Sequence, residues 1–326
     1  MTPIQFTPIL KPVIWGGSEI CRFKSLAAKE DGIGESWEIS GVEGNVSIVA
    51  NGVDKGKTLD ELIASYGDEL LGKAVFERFG NTFPLLIKFI DAKQALSIQV
   101  HPNDELARKR HSSFGKTEMW YVIQADKGAS LYAGFKEEMN AEKYLQSLAD
   151  DTFIHSLQKH EVQSGDVFFL PAGRVHAIGA GCFIAEIQQT SNITYRIYDY
   201  NRKDADGNPR ELHTELAKDA IDYKVYPDYK TDYQKDAAEI QTLAACPYFT
   251  TNLISGKQGE KLQHLIHDGN SFVIFICLSG KLQLADNKKN TVEIGQGETV
   301  LIPAANSSSI QFLFEEDSRL LETFIE

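Results

Sequence analysis

Gln99 and His101 stand two residues apart in the apolar stretch ALSIQVH. Residues two apart on a β-strand point to the same face, which here would ordinarily belong to the core. A second histidine, His176, ends the stretch GDVFFLPAGRVH, and Glu118 begins the strand-like run EMWYVIQA. Two imidazole nitrogens, a carboxylate and an amide oxygen suit Zn²⁺ in an open site and would also hold Fe²⁺, Mn²⁺ or Co²⁺. We therefore expect Gln99, His101, Glu118 and His176 to bind one zinc ion per chain.

A single buried histidine is more often a hydrogen-bonded core residue than a metal ligand. The prediction of a metal site therefore depends on the combination of the four residues. The stretch that ends at His176 fits the spacing G-x5-P-x-G-x2-H. This spacing resembles the second metal-binding motif of cupins, in which a turn delivers the histidine to the interior of a β-barrel. The upstream Q-x-H then takes the place of the usual cupin H-x-H.

The elements that must position these residues are mostly strands. Short runs rich in β-branched and aromatic residues, separated by Gly, Pro or Asn, predict strands throughout the chain. Four segments predict helices: KTLDELIASYGDELLG, NDELARKRH, EEMNAEKYLQSLAD and PRELHTELAKDAIDY. In the first, Thr58 and Glu61 are spaced as a capping box. Many short strands with few helices predict a mainly β protein of sandwich or barrel architecture.

A weak internal repeat indicates two related β units. GDVFFLPAGRVH resembles GETVLIPAANSS, and WYVIQADKGASLY resembles FVIFICLSGKLQL. We predict two cupin (jelly-roll β-barrel) units, a catalytic unit over residues 1–235 with helical insertions and a plain unit over 236–326. The acidic, tyrosine-rich segment near 226–238 predicts a linker between them.

The second unit is expected to be degenerate and metal-free. The repeat places Ser308 at the position of His176 and Asn270 at the position of Glu118. This loss suggests that the chemistry lies in the first unit, although drift between the repeats would give the same pattern.

The composition narrows the classes of partner. The chain has 326 residues, with 33 Lys and Arg against 46 Asp and Glu, so its formal charge is −13. Nucleic acid is an improbable partner because a phosphate backbone requires a basic footprint. No apolar run approaches the ~20 residues that cross a bilayer, and the first residues do not resemble a secretory signal. Four distant cysteines without a C-x-x-C pair indicate reduced thiols in a cytoplasmic protein, and no obligatory protein partner is inferred.

Several blocks together resemble the type I mannose-6-phosphate isomerases, in their short bacterial form. They are WGG, GIGESWEIS, ALSIQVHPND, GKTEMWYV, LPAGRVHAIG and EIQQTSNITYRIYDYNR, which are spread over most of the chain. The resemblance implies a zinc enzyme that interconverts mannose 6-phosphate and fructose 6-phosphate through an enediol. It also implies that Gln99, His101, Glu118 and His176 form the zinc shell and that Arg196 is the active-site arginine.

The sequence departs from the longer members of that family at three places. They carry a histidine where this chain has Gly115 and an aspartate where it has Asn192. They also have an extra helical domain between the glutamate and the second histidine. Acid–base roles of that histidine and aspartate therefore do not transfer to this chain.

Other residues are candidates for substrate contacts. Arg196 shares a strand face with Thr194 and Tyr198 and could contact either the enediolate or the phosphate by paired hydrogen bonds. The alternative is a surface arginine paired with Asp199 or Glu186. Lys116, two residues before Glu118, could relay protons or bind phosphate, and the alternative is a solvated lysine. Lys88 interrupts an apolar strand and needs an anion, either the substrate phosphate or a structural carboxylate such as Asp91.

Ser97 shares the face of Gln99 and His101 and could donate a hydrogen bond to the substrate phosphate. Three rival functions remain open from the residues: a non-haem iron dioxygenase, a non-catalytic sugar-binding cupin and a cupin-type glucose-6-phosphate isomerase. Gln99 in place of a histidine speaks against the last and mildly against the first.

Overall fold

The computed structural model describes residues 1–26, 32–203, 207–235, 240–266 and 270–326. Strands dominate, so the predicted mainly β fold is confirmed. The strands up to residue 198 are β1 (Phe6–Thr7), β2 (Ile9–Gly17), β3 (Ile33–Val42), β4 (Asn45–Val46), β5 (Ile48–Val49), β6 (Leu85–Ala92), β7 (Ile98–Val100), β8 (Glu118–Ala125), β9 (Ser130–Phe135), β10 (Leu157–Glu161), β11 (Val167–Leu170), β12 (His176–Ile178), β13 (Cys182–Gln189) and β14 (Tyr195–Tyr198). Those that follow are β15 (Gln241–Cys246), β16 (Phe249–Gly256), β17 (Lys261–Leu265), β18 (Val273–Ser279), β19 (Lys281–Ala285), β20 (Thr291–Gly295), β21 (Thr299–Ile302), β22 (Ser309–Phe314) and β23 (Ser318–Phe324).

The helices are short and connect strands. They are α1 (Glu19–Phe23), α2 (Leu59–Tyr66), α3 (Asp68–Leu71), α4 (Lys73–Phe79), α5 (Asp104–His111), α6 (Ala141–Ala149) and α7 (Thr214–Ala220), with 3₁₀ turns at Phe153–Ser156 and Ala304–Asn306. The capping box is present: the Thr58 hydroxyl accepts from the Glu61 amide, and the Glu61 carboxylate accepts from the Thr58 amide. None of the helices in the described ranges is long and apolar enough to cross a membrane.

The predicted helix over KTLDELIASYGDELLG is divided into α2 and α3. Gly67 has φ +48°, a conformation that favours glycine, and the helix cannot continue through it. The helix predicted from PRELHTELAKDAIDY begins only at Thr214. The preceding residue, His213, exchanges hydrogen bonds with the backbone of Arg196, which keeps the residues before Thr214 out of the helix.

Two sheets of the first part of the chain position the site. One has the order β11-β8-β13-β6-β3-β2 with β4 alongside, and the other has the order β10-β9-β12-β7-β14. The first carries Glu118 at the start of β8 and Lys88 on β6. The second carries Gln99 on β7, His176 on β12 and Arg196 on β14.

The strands from β15 onward form a second pair of sheets with matching strand order. β21-β18-β23-β16 corresponds to β11-β8-β13-β6, and β20-β19-β22-β17 corresponds to β10-β9-β12-β7. The two parts share one apolar core, in which the rings of Phe83 and Phe272 lie 4.9 Å apart. The boundary at 235/236 stays a prediction.

The described part of the predicted linker packs against the first pair of sheets. The Tyr229 hydroxyl donates to the Phe135 carbonyl at 2.8 Å, and the Tyr233 hydroxyl donates to the Gly165 carbonyl at 2.5 Å. Residues 226–235 therefore belong to the first part structurally. The remainder of that prediction, residues 236–238, lies outside the described residues.

Candidate active site

Three of the predicted metal ligands converge between the two sheets of the first pair. The ligand atoms of His101, Glu118 and His176 all lie within 4.8 Å of one another. The His176 Nε2 is 3.2 Å from one oxygen of Glu118, and the His101 Nε2 is 3.6 Å from the other. All three side chains are buried. Facing sheets thus bring together residues that are 75 positions apart in the chain.

The turn before His176 fixes its approach. Gly173 has φ +93°, and its amide donates to the His101 carbonyl at 2.9 Å. A Cβ at this position would lie 2.9 Å from the Ala220 carbonyl oxygen. The sequence therefore requires glycine here, and the hydrogen bond ties the turn directly to the strand that carries the other histidine.

Both histidines are oriented for metal binding by their Nδ1 atoms. The Nδ1 of His101 donates to the Ile193 carbonyl and the Nδ1 of His176 donates to the Arg174 carbonyl, each at 2.8 Å. This leaves each Nε2 as the ring atom available to a metal ion. Burial, followed by repulsion from Lys116, lowers the pKa of His101 and lowers that of His176 to about 3. Both rings are therefore neutral, the form that binds metals.

The carboxylate of Glu118 fits a cation at this place. Its side chain is fully buried, and its Oε1 has no hydrogen-bond partner within the described structure. Such an orphaned acceptor is costly unless a cation or donor reaches it. The Gln99 amide lies 3.4 Å from the His176 Nε2. Rotation of that amide would present its oxygen as a fourth ligand.

A cleft of about 210 Å³ opens above this cluster. Its lining includes Lys88, Ser97, Gln99, Lys116 and Arg196, so the predicted catalytic and substrate residues lie together at one place. Its apolar wall is formed by Val13, Trp15, Trp37, Ile90, Leu96 and Ile178. Lys116 joins the cleft to the cluster, because its Nζ contacts a Glu118 oxygen and lies 3.1 Å from the His101 Nε2.

A chain of alternating charges forms the floor of the cleft. The Nζ of Lys88 lies 3.2 Å from a Glu186 oxygen and 3.6 Å from a Glu35 oxygen. The same Glu186 oxygen lies 3.8 Å from the Nζ of Lys116, which contacts Glu118. The structural carboxylates expected for Lys88 are therefore Glu35 and Glu186. Asp91, the partner that the sequence suggested, instead accepts a hydrogen bond from the Glu19 amide at 2.7 Å.

Glu186 is the main residue that sequence reasoning missed as part of the site. It interrupts the apolar strand CFIAEIQQT just as Lys88 interrupts its own strand. The two residues are paired across β13 and β6. The sequence shows that each buried strand carries one charged residue. That Lys88 and Glu186 lie opposite each other follows only from the register of the two strands in the sheet.

Comparison with known proteins agrees with this site. The model of the type I phosphomannose isomerase catalytic domain matches residues 4–129, which include Gln99, His101, Lys116 and Glu118. The mannose-6-phosphate isomerase ManA of Bacillus subtilis is 37% identical over 266 residues, which cover 80% of this chain and 82% of that protein. This chain belongs to the type I phosphomannose isomerase family.

Other relatives extend the comparison. The mannose-6-phosphate isomerase of Streptococcus mutans is 43% identical over 208 residues, 64% of each chain. The crystal structure of the mannose 6-phosphate isomerase from Bacillus subtilis superposes with a TM-score of 0.85 at 30% identity, covering 99% of each chain. The type I phosphomannose isomerase fold therefore extends over both pairs of sheets.

The position at which longer members of the type I phosphomannose isomerase family carry a histidine is closed in this chain. A Cβ on Gly115 would lie 2.6 Å from backbone atoms of Asn103 and Asp104, at the start of α5. The Gly115 amide donates to the Asp104 carboxylate at 2.8 Å. A side chain here would displace α5, so this position contributes no acid or base.

Proposed function

We propose that this chain is a zinc-dependent mannose-6-phosphate isomerase that interconverts D-mannose 6-phosphate and D-fructose 6-phosphate. The observation that carries the proposal is the buried cluster of His101, Glu118 and His176 beneath a cleft lined by cations. Membership of the type I phosphomannose isomerase family supports the same reaction.

The donor set supports zinc as the metal. Two neutral imidazoles, one carboxylate and the Gln99 amide would form an N₂O₂ shell without thiolate, which suits Zn²⁺ with an open position. When bound, Zn²⁺ would supply Lewis-acid stabilisation of negative charge on the substrate oxygens.

The residues of the cleft would assist the proton transfer between C2 and C1 of the open-chain sugar. Burial would lower the pKa of Lys88, but Glu35, Glu186 and Glu118 outweigh it and raise that pKa. Lys88 therefore stays an ammonium ion and would donate hydrogen bonds to the oxygens of the enediolate. Lys116, which contacts Glu118, would relay protons at its Nζ.

Two further residues would hold the substrate. The guanidinium of Arg196 faces the cleft and would stabilise the developing negative charge. The hydroxyl of Ser97 would donate a hydrogen bond to the sugar phosphate.

A coupled assay tests the reaction. Fructose 6-phosphate should form from mannose 6-phosphate, and glucose 6-phosphate should be a poor substrate. Oxygen uptake, or tight sugar binding without turnover, would instead support a dioxygenase or a binding protein.

Metal analysis tests the ligands separately. The purified chain should carry about one Zn²⁺, and the His101→Ala and His176→Ala variants should lose it. His155→Ala is the matched control, because His155 is exposed on a 3₁₀ turn away from the cluster. Stoichiometric zinc in the His101→Ala variant would contradict the assignment.

A further inference from the structure

The cleft has two electrostatically different ends. At its floor, the ammonium groups of Lys88 and Lys116 are neighboured by three carboxylates, those of Glu35, Glu118 and Glu186. A phosphate dianion placed beside Lys88 would face Glu35 and Glu186 at close range, and like charges in a buried site repel strongly. The floor is therefore unsuited to the phosphate group of a sugar phosphate.

The rim of the cleft carries an excess of positive charge. Arg196 and Arg210 both line the cleft. Arg202 and Arg210 share the single carboxylate of Asp199, which is buried. Two guanidinium groups are thus in contact with Asp199, and the charge of Arg196 interacts with both of them, with Asp199 and with Glu211. Three cations near two carboxylates leave a net positive charge, which favours an additional anion.

Arg210 is held in place, and one edge of its guanidinium forms no hydrogen bond with the residues that the structure describes. Its Nε donates to one Asp199 oxygen at 2.7 Å and its Nη2 donates to the other at 2.5 Å. These bonds leave Nη1 available to a ligand. The segment after Arg210 is anchored to β14, because the His213 amide donates to the Arg196 carbonyl at 2.7 Å.

Arg196 also has an unused donor. Its Nη1 donates to the Glu211 carbonyl at 2.9 Å, but its buried Nε has no hydrogen-bond partner within the described structure. Burial, followed by repulsion from Arg210, lowers the pKa of Arg196. An anion bound between the two arginines would relieve both the repulsion and the orphaned donor.

We propose that Arg210, together with Arg196, forms the site at the rim of the cleft that binds the phosphate group of the substrate. This inference rests on the proposed function and adds a residue that confers specificity for a phosphorylated sugar. Asp199 is the positioning residue, since it fixes two of the donor atoms of Arg210. The sugar carbons would then extend from the rim towards the metal cluster at the floor. Arg196, whose backbone pairs with that of Gln99, would contact both the phosphate and the reacting end of the sugar.

Calorimetric titration with inorganic phosphate tests the site on the metal-loaded enzyme at constant ionic strength. Arg210→Gln should weaken phosphate binding roughly 10- to 100-fold, the equivalent of losing one charge-assisted hydrogen-bonded contact. Arg210→Lys should restore only part of that loss, because an ammonium cannot make the forked contact.

A matched control is available in Arg110→Gln. Arg110 pairs with Asp219 outside the cleft, and its side chain is 22% exposed, against 26% for Arg210. This control should leave phosphate affinity unchanged, and zinc content should be the same in all variants. In turnover of mannose 6-phosphate, Arg210→Gln should raise KM more than it lowers kcat, since the phosphate is bound equally in the ground and transition states.

The outcomes separate this inference from the proposed function. If the wild-type enzyme does not turn over mannose 6-phosphate, the proposed function fails, while the phosphate titration still decides the anion site. Unchanged phosphate affinity in Arg210→Gln would refute a phosphate site at Arg210. Wild-type phosphate affinity in Arg210→Lys would refute a forked contact between the guanidinium and the phosphate. If Lys88→Met loses phosphate affinity and Arg210→Gln retains it, the phosphate binds at the floor of the cleft and not at Arg210.

Discussion

The charge of Glu186 should stabilise this protein measurably, although it lies at the centre of its cleft. The side chain is 3% exposed, accepts a hydrogen bond from the Trp120 indole at 2.9 Å and lies 3.2 Å from the Lys88 ammonium. Glu186→Gln keeps the size and an acceptor but removes the charge. Lys88 and Lys116 would then share two carboxylates in place of three.

The expected loss follows from the burial of these groups. Breaking a buried ion pair by removing one partner costs about 3–5 kcal/mol, and the isosteric change places this variant near 3 kcal/mol. With about 2.1 cal/mol/K of unfolding entropy per residue, a chain of 326 residues has roughly 0.7 kcal/mol/K. The midpoint of thermal unfolding should therefore fall by about 4 °C at pH 7.

The pH dependence of this loss has a definite sign. Burial would raise the pKa of Glu186, but Lys116 and Lys88 outweigh it, and the folded-state pKa is lowered. A carboxyl group whose pKa is lowered by folding contributes stability above its unfolded pKa of about 4.3, and this contribution is lost as the pH falls further. The difference between Glu186→Gln and wild type should thus shrink below about pH 4.

Glu38→Gln is the matched control for calorimetry. Glu38 is also a buried carboxylate with a lysine partner, Lys24, at 2.8 Å. Burial outweighs Lys24 there and raises the pKa of Glu38, so neutralising it should cost much less. Both variants are measured on the chelated protein, so that release of metal does not contribute. Equal losses in the two variants at pH 7, or an undiminished Glu186→Gln effect at pH 3, would refute this reasoning.

Three further substitutions test other parts of the structure. Arg196→Ala should lower kcat by roughly 10²–10³, as deletion of a charge-stabilising donor does, with zinc content unchanged; a normal kcat with only a raised KM would leave it solely as a phosphate ligand. Burial raises the pKa of Asp91 to about 6, so stability falls as the pH rises from about 4 to about 6. Asp91→Asn, which keeps an oxygen for the Glu19 amide, should accordingly raise the unfolding midpoint at pH 8 but not at pH 4. Gly115→Ala should lower both stability and zinc affinity, because its Cβ would press on Asn103, two residues from His101; an unaffected variant in thermal unfolding and zinc titration would contradict this.

The strands of the site were predictable because their signals are local. Period-two alternation and turn residues mark each strand, and the G-x5-P-x-G-x2-H spacing reports a turn that only glycine can make at position 173. Helix ends were less predictable. The late start of α7 depends on hydrogen bonds between His213 and Arg196. The residues around position 213 do not indicate these bonds, because Arg196 lies outside the helix pattern.

The pairing of charges in the cleft could not be predicted from the sequence, because it depends on the register of neighbouring strands. Lys88 was recognisable as a buried cation, but Asp91 was the nearest carboxylate in the chain. The structure pairs Lys88 with Glu186 across β6 and β13 and with Glu35, which is on β3. No sequence pattern identifies Arg210 as a site residue, since it follows a turn-rich segment in which an arginine is ordinarily solvated.

The second pair of sheets shows that strand order alone does not create the candidate metal site. It also places a histidine and a buried carboxylate together, with the Nε2 of His264 3.0 Å from a Glu322 oxygen. There the second Glu322 oxygen accepts from the Asn252 amide at 2.8 Å, just as one Glu118 oxygen contacts Lys116, and the other oxygen of each carboxylate has no hydrogen-bond partner within the described structure. Of the residues that the structure describes, only His101, Glu118 and His176 form a group of three ligating side chains. What distinguishes the first part is therefore a third ligating side chain. The three side chains lie at or next to the ends of β7, β8 and β12, where substitution alters chemistry without altering the fold.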